Sequence, residues 1–222
     1  MKVAIFSESY LPYLNGVSVS IHILHEELTR RGHEVWIYAP HYRGYQDPYP
    51  TVRRLPSVYT PFEPDYPIAL PFAPALWREF RTLGIDIVHT HTPFFTGIMG
   101  ARWARRLRIP LVSTYHTLYE EYLHYVPRVV PRAPVRRLLR WHLRRYYEGV
   151  DAVMTPSDTG AEVLRKYGVR KPITPIRNPV LPFPAVSKAE ARARLGIPEE
   201  VWMLLYVGRM APEKNVSVLL EA

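Results

Sequence analysis

The chain of 222 residues contains no cysteine. Disulfides, cysteine-based zinc sites and thiol nucleophiles are therefore excluded, and only histidine and carboxylate side chains remain as metal ligands. Redox chemistry by the protein's own side chains is not expected either.

Long hydrophobic runs are also lacking. No run of about 18 uncharged apolar residues is present, and the N-terminus MKVAIFSESY, unlike a signal peptide, passes from one lysine into a short apolar run followed by Ser and Glu. The sequence therefore predicts a cytoplasmic protein. Its composition, 47% hydrophobic and 22% charged, is that of a globular chain, long enough for one full core and part of another.

Acidic residues are fewer than basic ones, 20 against 29, which gives a net charge of +9. The excess is concentrated in residues 128–147, RVVPRAPVRRLLRWHLRRYY, which contain seven arginines and no acidic residue. A positive surface of this size attracts phosphates, nucleic acid or anionic lipid. Nucleic acid is not a predicted partner, because no recognised nucleic-acid-binding motif accompanies the charge.

Short β-branched runs alternate with longer helical patterns, which is typical of parallel βα units. The predicted strands are Val3–Phe6, Val35–Ala39, Ile85–His89, Pro110–Thr114, Ala152–Thr155, Ile173–Ile176 and Met203–Val207. The predicted helices are Ser18–Arg31, Thr96–Leu107, Ser157–Tyr167 and Lys188–Leu195. The fold class that follows is α/β, with a Rossmann-like doubly wound parallel sheet.

The carboxyl ends of parallel strands lie along one edge of such a sheet, where ligands bind. That edge is predicted to carry the stretches Ser7–Gly16, His89–Thr96, Thr114–Tyr119 and Thr155–Ser157. The proline-rich stretch Pro48–Pro74 cannot sustain a helix and is predicted to be mostly loop.

The last part of the chain predicts a second domain. Residues 1–177 are predicted to form the first Rossmann-like domain, and the proline-rich residues 178–187 a semi-rigid linker. Residues 188–222 contain a strand, a Gly-Arg turn and the start of a helix. Because one βα unit cannot bury its own apolar faces, they are predicted to be the truncated start of a second Rossmann-like domain.

Gly16 lies where the first predicted helix begins. A helix N-terminus presents unpaired N–H groups and a partial positive charge, so a glycine there lets a phosphate approach the backbone closely. The alternative is a plain tight turn. Neither the G-x-G-x-x-G fingerprint of dinucleotide-binding folds nor the G-K-[ST] of a P-loop is present, which disfavours NAD enzymes and P-loop ATPases.

A second candidate anion site follows the last predicted strand. Gly208 and Arg209 precede Lys214 at the start of a helix. Arginine offers forked donors and lysine a compact charge, a pair suited to a diphosphate. The alternative is two solvated surface cations.

His116 follows the strand Pro110–Thr114 and suits contact with a sugar hydroxyl or an acceptor group, or else a purely structural hydrogen bond. His89 and His91 have a spacing that could hold a metal ion. No carboxylate lies beside them in the sequence, so no metal site is predicted.

The arginine-rich segment projects as an amphipathic helix from Val135. One face is predicted to carry the apolar residues Val135, Leu138, Leu139, Leu143 and Tyr146, and another the arginines Arg136, Arg137, Arg140 and Arg144. A basic amphipathic helix can lie on an anionic membrane, with Trp141 near the headgroups. Alternatively, the apolar stripe packs on the sheet and the arginines face water.

Five blocks of the sequence, in order, resemble those of retaining glycosyltransferases of family 4, which have the GT-B fold. They are SYLPYLNGVSVSI with RRGHEVWIYAP, then DIVHTHTPFFTGIMG, TYHTLYEEYLHYVP, DAVMTPSDTGAEVLRKYGV and YVGRMAPEKN. The block TYHTLYEEYLHY is similar to that of the branch that glucosylates diacylglycerol at the membrane surface. The resemblance extends over essentially the whole chain.

The resemblance implies an acceptor-binding first domain and a nucleotide-sugar-binding second domain. Gly16 would offer its amide to the donor diphosphate, Arg209 and Lys214 would neutralise that leaving group, and His116 would lie beside the transferred sugar. No metal or other cofactor is implied, so cations and amide dipoles must stabilise the leaving group. The expected donor is UDP-glucose.

The implied reaction transfers a hexose, with retention, to a lipid acceptor such as diacylglycerol. The implied location is peripheral, at the inner face of the cell membrane. The residues expected to contact the acceptor or an anionic membrane are Arg136, Arg137, Arg140 and Trp141.

Two features depart from the family pattern. Ile176–Val180 reads Ile-Arg-Asn-Pro-Val where the family has Pro-Thr-Gly-Ile-Asp, which leaves donor contacts from that turn open. Glu213 and Glu221 are not the family's Glu-x7-Glu motif, which belongs beyond residue 222. These 222 residues alone are therefore expected to be inactive.

Three alternatives remain open at this stage. The first is a family 4 enzyme with a non-lipid acceptor, and the second is a sugar-nucleotide epimerase of the same two-domain architecture. The third is a non-enzymatic basic module at a membrane surface.

Overall fold

The computed structural model describes residues 1–61, 63–127, 129–180, 185–208, 210 and 214–221. The chain forms two compact units, Met1–Pro179 and Val180–Ala222. No helix within the described residues combines the length and the apolar character that crossing a membrane requires.

The first unit alternates strands and helices. The strands are β1 (Lys2–Phe6), β2 (Glu34–Pro40), β3 (Val52–Leu55), β4 (Ser57–Thr60), β5 (Glu63–Ala69), β6 (Ile87–Thr90), β7 (Leu111–Thr114), β8 (Ala152–Thr155) and β9 (Ile173–Pro175). The helices are α1 (Gly16–Arg30), α2 (Pro74–Phe80), α3 (Phe95–Leu107), α4 (Arg132–Tyr147) and α5 (Asp158–Lys166), with a 3-10 helix over Tyr119–Tyr125. The second unit contains α6 (Lys188–Leu195) and α7 (Val216–Glu221).

Seven strands form one sheet in the order β3-β2-β1-β6-β7-β8-β9, and every neighbouring pair is parallel. The predicted Rossmann-like doubly wound sheet is therefore confirmed. Six of the seven predicted strands are present, with ends within two residues of their predicted positions.

The sheet is covered on both faces because side chains alternate along each strand. Val3 and Ile5 of β1 belong to a buried cluster that contains Ile21 of α1. Ala4 and Phe6 belong to a second cluster that contains Trp103 of α3. Helices α1 and α3 therefore cover opposite faces of β1.

The prediction that Pro48–Pro74 is mostly loop is wrong. This stretch contains β3, which pairs with β2 at the edge of the sheet, and the antiparallel hairpin of β4 and β5. Prolines in β5 are tolerated because a two-stranded ribbon leaves one edge of each strand without ladder hydrogen bonds. The helix α2, which sequence patterning missed, begins at Pro74, the helix position where proline is favoured.

The predicted strand Met203–Val207 is also wrong. These residues are in neither a strand nor a helix, and their neighbour Trp202 is 96% exposed. A β-strand needs a hydrogen-bonded partner strand, and the described part of the second unit contains none. The apolar run is present, but the described part of the second unit offers no strand for it to pair with.

Candidate active site

The order of the strands reverses between β1 and β6. The chain leaves β1 through residues 7–15 toward α1 on one face, and leaves β6 through residues 91–94 toward α3 on the other. In open α/β sheets the crevice at such a switch point is where ligands bind. The switch point between these two loops is therefore where a ligand-binding crevice is expected.

Gly16 is the first residue of α1 and is exposed. Asn15 caps the helix, because its Oδ1 accepts a hydrogen bond from Ser18 N at 2.8 Å while Ser18 Oγ accepts one from Asn15 N at 2.9 Å. The amides of Gly16 and Val17 come before Ser18 and have no hydrogen-bond partner among the described residues. Two N–H groups are therefore free at this helix start.

Nothing in the described structure requires glycine at position 16. Its φ lies outside the left-handed region that favours glycine, and a Cβ built on it would meet no atom within 4 Å. The interpretation of Gly16 as a residue needed for a tight turn is therefore unsupported. A side chain at this position would therefore meet no protein atom close to its Cβ.

Three histidines stack at the ends of β6 and β7. His91 Nδ1 and His116 Nε2 lie 2.8 Å apart, so one of them donates a hydrogen bond to the other. The ring centroids of His89 and His91 are 4.1 Å apart, and His89 Nε2 lies 2.7 Å from Thr114 Oγ1. The structure thus places the predicted residue His116 in a polar network rather than alone.

The stacked imidazoles are held in the neutral form. Burial lowers the pKa of His89 to about 3 and that of His116 to about 4, and it lowers the pKa of His91 well below its usual value. The remaining nitrogen of His116, Nδ1, is also enclosed by protein. Contact between His116 and a sugar would therefore require its imidazole to exchange the bond with His91 for one with the sugar.

No cluster of three or more metal-ligating side chains exists within the residues that the structure describes. His89 and His91 instead stack on each other and bond to residues of β7 and of the loop that follows it. The structure therefore supplies no candidate metal centre from this pair.

Glu8 is a candidate functional residue that the sequence patterns did not single out. It lies two residues after β1, and its Oε1 accepts a hydrogen bond from Thr96 N at 3.2 Å, at the start of α3. The N-cap residue of α3, Phe94, provides no side-chain cap of its own. A single glutamate in a loop forms no sequence pattern from which a role could be predicted. The packing of α3 beside β1 is what brings this carboxylate to the crevice.

Burial raises the pKa of Glu8 to about 7, although hydrogen bonds from the backbone at Thr96 and Phe95 oppose the shift. A carboxylate at a helix N-terminus ordinarily ionises more easily than in water. Here the loss of hydration outweighs that effect. Glu8 therefore changes its protonation state near neutral pH.

The predicted arginine helix is α4, and its buried face contains the predicted residues Leu143 and Tyr146 but not Leu138. Leu143, Tyr146 and Tyr147 are buried, whereas Leu138, predicted to lie on the apolar face, is 64% exposed. Trp141 is 57% exposed. The residues 138 and 141 lie on a different side of the helix from 143 and 147 because a helix turns about 100° per residue.

The structure separates the predicted arginines into two groups. Glu120 of the 3-10 helix pairs with Arg140, whose Nη2 lies 2.8 Å from Glu120 Oε2, and with Arg136, whose Nε lies 3.4 Å from the same oxygen. Arg137 is exposed and has no ion-pair partner among the described residues. Two of the three arginines are thus partly neutralised within the protein.

A basic groove of about 800 Å³ lies between α3 and α4. Its lining includes the arginines Arg102, Arg105, Arg144 and Arg145, the aromatic residues Trp141, His142 and Tyr146, and one carboxylate, Glu148. Trp141 lies under the guanidinium of Arg145, with 5.8 Å between the carbon of that group and the ring centroid. The exposed side of α4 therefore combines apolar side chains with unpaired positive charge.

The two remaining predicted site residues belong to the second unit. Lys214 is exposed just before α7, and Arg209 lies outside the described residues. Their predicted roles toward a diphosphate stay predictions.

Comparison with known proteins gives a family match and two relatives that match the whole chain. The model of "Glycosyltransferase Family 4" matches residues 14–181. The alpha-monoglucosyldiacylglycerol synthase of Streptococcus pneumoniae is 31% identical over 100% of this chain and 52% of its own length. The enzyme of the same name from Acholeplasma laidlawii is also 31% identical, over 100% of this chain and 59% of its own length. The chain thus spans about half the length of these relatives.

Among solved structures, a sucrose-phosphate synthase from Thermosynechococcus elongatus matches 88% of this chain and 96% of its own, with a TM-score of 0.51. Sequence identity is 16%, so this match bears on the fold alone. The shared fold is that of a GT-B N-terminal domain.

Proposed function

The chain belongs to glycosyltransferase family 4, and on that premise we propose that it is the acceptor-binding part of a retaining hexosyltransferase. The enzyme transfers a hexose from a nucleotide sugar to a membrane lipid such as diacylglycerol. Two relatives that match the whole chain are named for the synthesis of glucosyldiacylglycerol, which supports this acceptor class. UDP-glucose is the proposed donor.

The observation that carries the proposal is the open helix start at Gly16. Two unpaired amides and the positive end of the α1 dipole lie at an exposed helix start beside the switch point of the sheet. This arrangement suits the diphosphate of a nucleotide sugar. Arg209 and Lys214 are proposed to neutralise the same diphosphate as it leaves, so that no metal ion is needed for that step.

His116 is proposed to contact the transferred sugar. Because its imidazole is neutral, it can exchange its hydrogen bond with His91 for one with the sugar without adding charge to the site. The stack with His91 and His89 fixes the plane of the ring and limits its rotation.

The reaction is tested with the full-length protein, labelled UDP-glucose and vesicles that contain diacylglycerol. We expect a labelled glycolipid whose sugar keeps the α configuration of the donor, and no labelled lipid from vesicles without diacylglycerol. Absence of glycolipid across several sugar nucleotides and lipid acceptors would contradict the proposal. An altered nucleotide sugar without any transfer product would favour an epimerase.

The exposed side of α4 is the proposed membrane contact. Trp141 and Leu138 offer apolar surface, and Arg137 and Arg145 offer positive charge to anionic headgroups. The net charge of +9 acts in the same direction. Arg136 and Arg140 are expected to contribute less because both pair with Glu120. The enzyme is proposed to bind peripherally at the inner face of the cell membrane.

If α4 contacts the membrane, reversing the charge of its exposed arginines weakens the binding of the protein to anionic vesicles. The double variant Arg137→Glu/Arg145→Glu is expected to bind vesicles containing phosphatidylglycerol at least about 10-fold more weakly, since each basic residue near such a surface contributes about 1 kcal/mol. Vesicle flotation measures the effect. The control Arg30→Glu/Arg31→Glu changes the net charge equally at the exposed end of α1. Equal losses in both variants would show that only total charge matters.

A further inference from the structure

A small cavity opens beside Glu8 at the carboxyl edge of the sheet. It has a volume of about 230 Å³ and lies between the hairpin of β4 and β5 and the start of α3. The residues that line it are Glu8, Thr60, Tyr66, Pro67, Ile68, Ala69 and Phe95. The lining is mostly apolar, and Glu8 is its one ionisable carboxylate.

Exposed apolar side chains lie next to the cavity-lining residues, along the chain or across the hairpin. Phe95 lines the cavity and is 46% exposed, and Leu70 and Phe72, which follow β5, are exposed as well. Val58 of β4, also exposed, pairs with Ile68 of the cavity wall. The hairpin beside the cavity therefore offers exposed apolar side chains to a hydrocarbon chain.

This combination fits one class of ligand. An apolar wall with a single carboxylate suits a neutral molecule that has a hydroxyl at one end and a hydrocarbon body, because the hydroxyl donates to the carboxylate while the rest leaves water. A free sugar would leave several hydroxyls unpaired against this wall. A lipid phosphate would meet the Glu8 carboxylate with like charge.

We propose that this cavity is the acceptor subsite, and that the carboxylate of Glu8 binds the hydroxyl of a neutral acylglycerol at the crevice. This assignment rests on the proposed glycosyltransferase function and names the side chains that select its acceptor. In it, Glu8 contacts the substrate while remaining bonded to Thr96 N.

Because Glu8 ionises near neutral pH, the assignment can be tested by measuring how the KM for the acceptor depends on pH. The charge of Glu8 acts on the phenols of Tyr119, in the 3-10 helix, and Tyr146, in α4, and the phenol of Tyr66 lines the same cavity. Burial raises the pKa of Tyr146 to about 12 and that of Tyr119 well above its usual value, so neither ionises near neutral pH. His89 and His116 remain neutral there because their pKa values are about 3 and 4.

Glu8→Gln in the full-length protein separates acceptor binding from a structural role. Glutamine keeps an oxygen that can accept the bond from Thr96 N, so the cap of α3 is retained. The wild-type KM for diacylglycerol is expected to fall as pH rises through about 7, where the carboxylate forms. In Glu8→Gln we expect that dependence to vanish, and the KM at pH 8 to rise about 10-fold, with the KM for the donor unchanged. The control is Glu121→Gln, at an exposed position of the 3-10 helix.

Loss of folding would not explain such a result. The pKa of Glu8 is higher in the folded protein than in the unfolded chain, so its contribution to stability is fully present below pH 4.5 and is lost as pH rises through about 7. Above pH 7 the ionised carboxylate therefore weakens the fold. Glu8→Gln is expected to melt no lower than the wild type at pH 8.

A binding experiment distinguishes failure of the subsite from failure of the proposed function. A monoacylglycerol that carries a photoreactive diazirine is expected to label β5 or Phe95, and Thr60→Trp, which fills the cavity, is expected to abolish the labelling. Labelling without any glycosyl transfer would keep the subsite and overturn the enzymatic proposal. Transfer with no labelling of this wall, and with a wild-type acceptor KM in Glu8→Gln at every pH, would overturn the subsite.

Discussion

Replacing Gly97 with alanine is expected to destabilise the first unit by about 3 kcal/mol or more. Gly97 lies in the first turn of α3, and a Cβ there would stand 1.6 Å from the carbonyl oxygen of Thr92 and 2.9 Å from the hydroxyl of Tyr146. The first contact is with backbone, which cannot rotate away as a side chain can. The loop from β6 to α3 would have to move.

A second glycine shows why this helix cannot simply shift. Gly100, one turn later, would place a Cβ 2.6 Å from the ring of Phe6 in β1. The two glycines together let α3 lie very close to the sheet, where it also positions the amide of Thr96 against Glu8. Displacement of α3 would therefore disturb both the core and the crevice.

The measurement is the free energy of unfolding from urea denaturation, followed by circular dichroism. Gly16→Ala is the matched control, because it adds the same methyl group to the first turn of a helix where no atom lies within 4 Å. An unfolding free energy for Gly97→Ala within about 0.5 kcal/mol of the wild type would contradict the close packing described for α3.

Gly16→Val is expected to lower glycosyl transfer by the full-length protein about 100-fold while leaving the stability of the first unit unchanged. The added side chain starts from a Cβ that meets no atom within 4 Å, beside the unpaired amides of Gly16 and Val17, where we expect it to hinder the approach of a phosphate. Loss of one backbone donor to a developing anion reduces the rate by a factor of this order. Gly16→Ala is expected to give an intermediate loss.

The assay is initial-rate kinetics with UDP-glucose and diacylglycerol vesicles, with thermal melting measured in parallel. Asn15→Ala provides the contrasting case, because it removes the side-chain cap of α1 and lowers stability by about 1 kcal/mol without filling the same space. Full activity in Gly16→Val would show that no phosphate approaches this helix start. A parallel loss of stability and activity would show that Gly16 is structural.

Local patterns predicted six strands of the parallel sheet even though several of these strands pair with strands far away in the sequence. Ala152–Thr155 and Lys188–Leu195 have the bounds that the periodicity indicates. Met203–Val207 has an equally clear apolar run, but it is not a strand, because pairing depends on partner strands that the described second unit does not contain. The sequence pattern thus identifies a candidate strand, but the strand forms only where a partner strand is present to pair with it.

A site residue could be predicted from the sequence when its proposed role depends only on the helix or strand to which it belongs. Gly16 could be placed at a helix start from the sequence alone, because the following residues have helical periodicity. Glu8 could not be found in this way, since its environment depends on Thr96, which lies 88 residues later in the chain. Likewise, nothing in the arginine-rich segment itself indicates that Glu120 pairs with Arg140.

The capping box of Asn15 and Ser18 has a consequence for ligand affinity. The reciprocal bonds between these two residues hold the first turn of α1 in its helical geometry before any anion arrives. An anion bound there would lose little free energy to ordering the backbone, because the amides are already preorganised. The same rigidity favours ligands whose oxygens match the fixed spacing of the two amides, so it acts as a source of selectivity as well as of affinity.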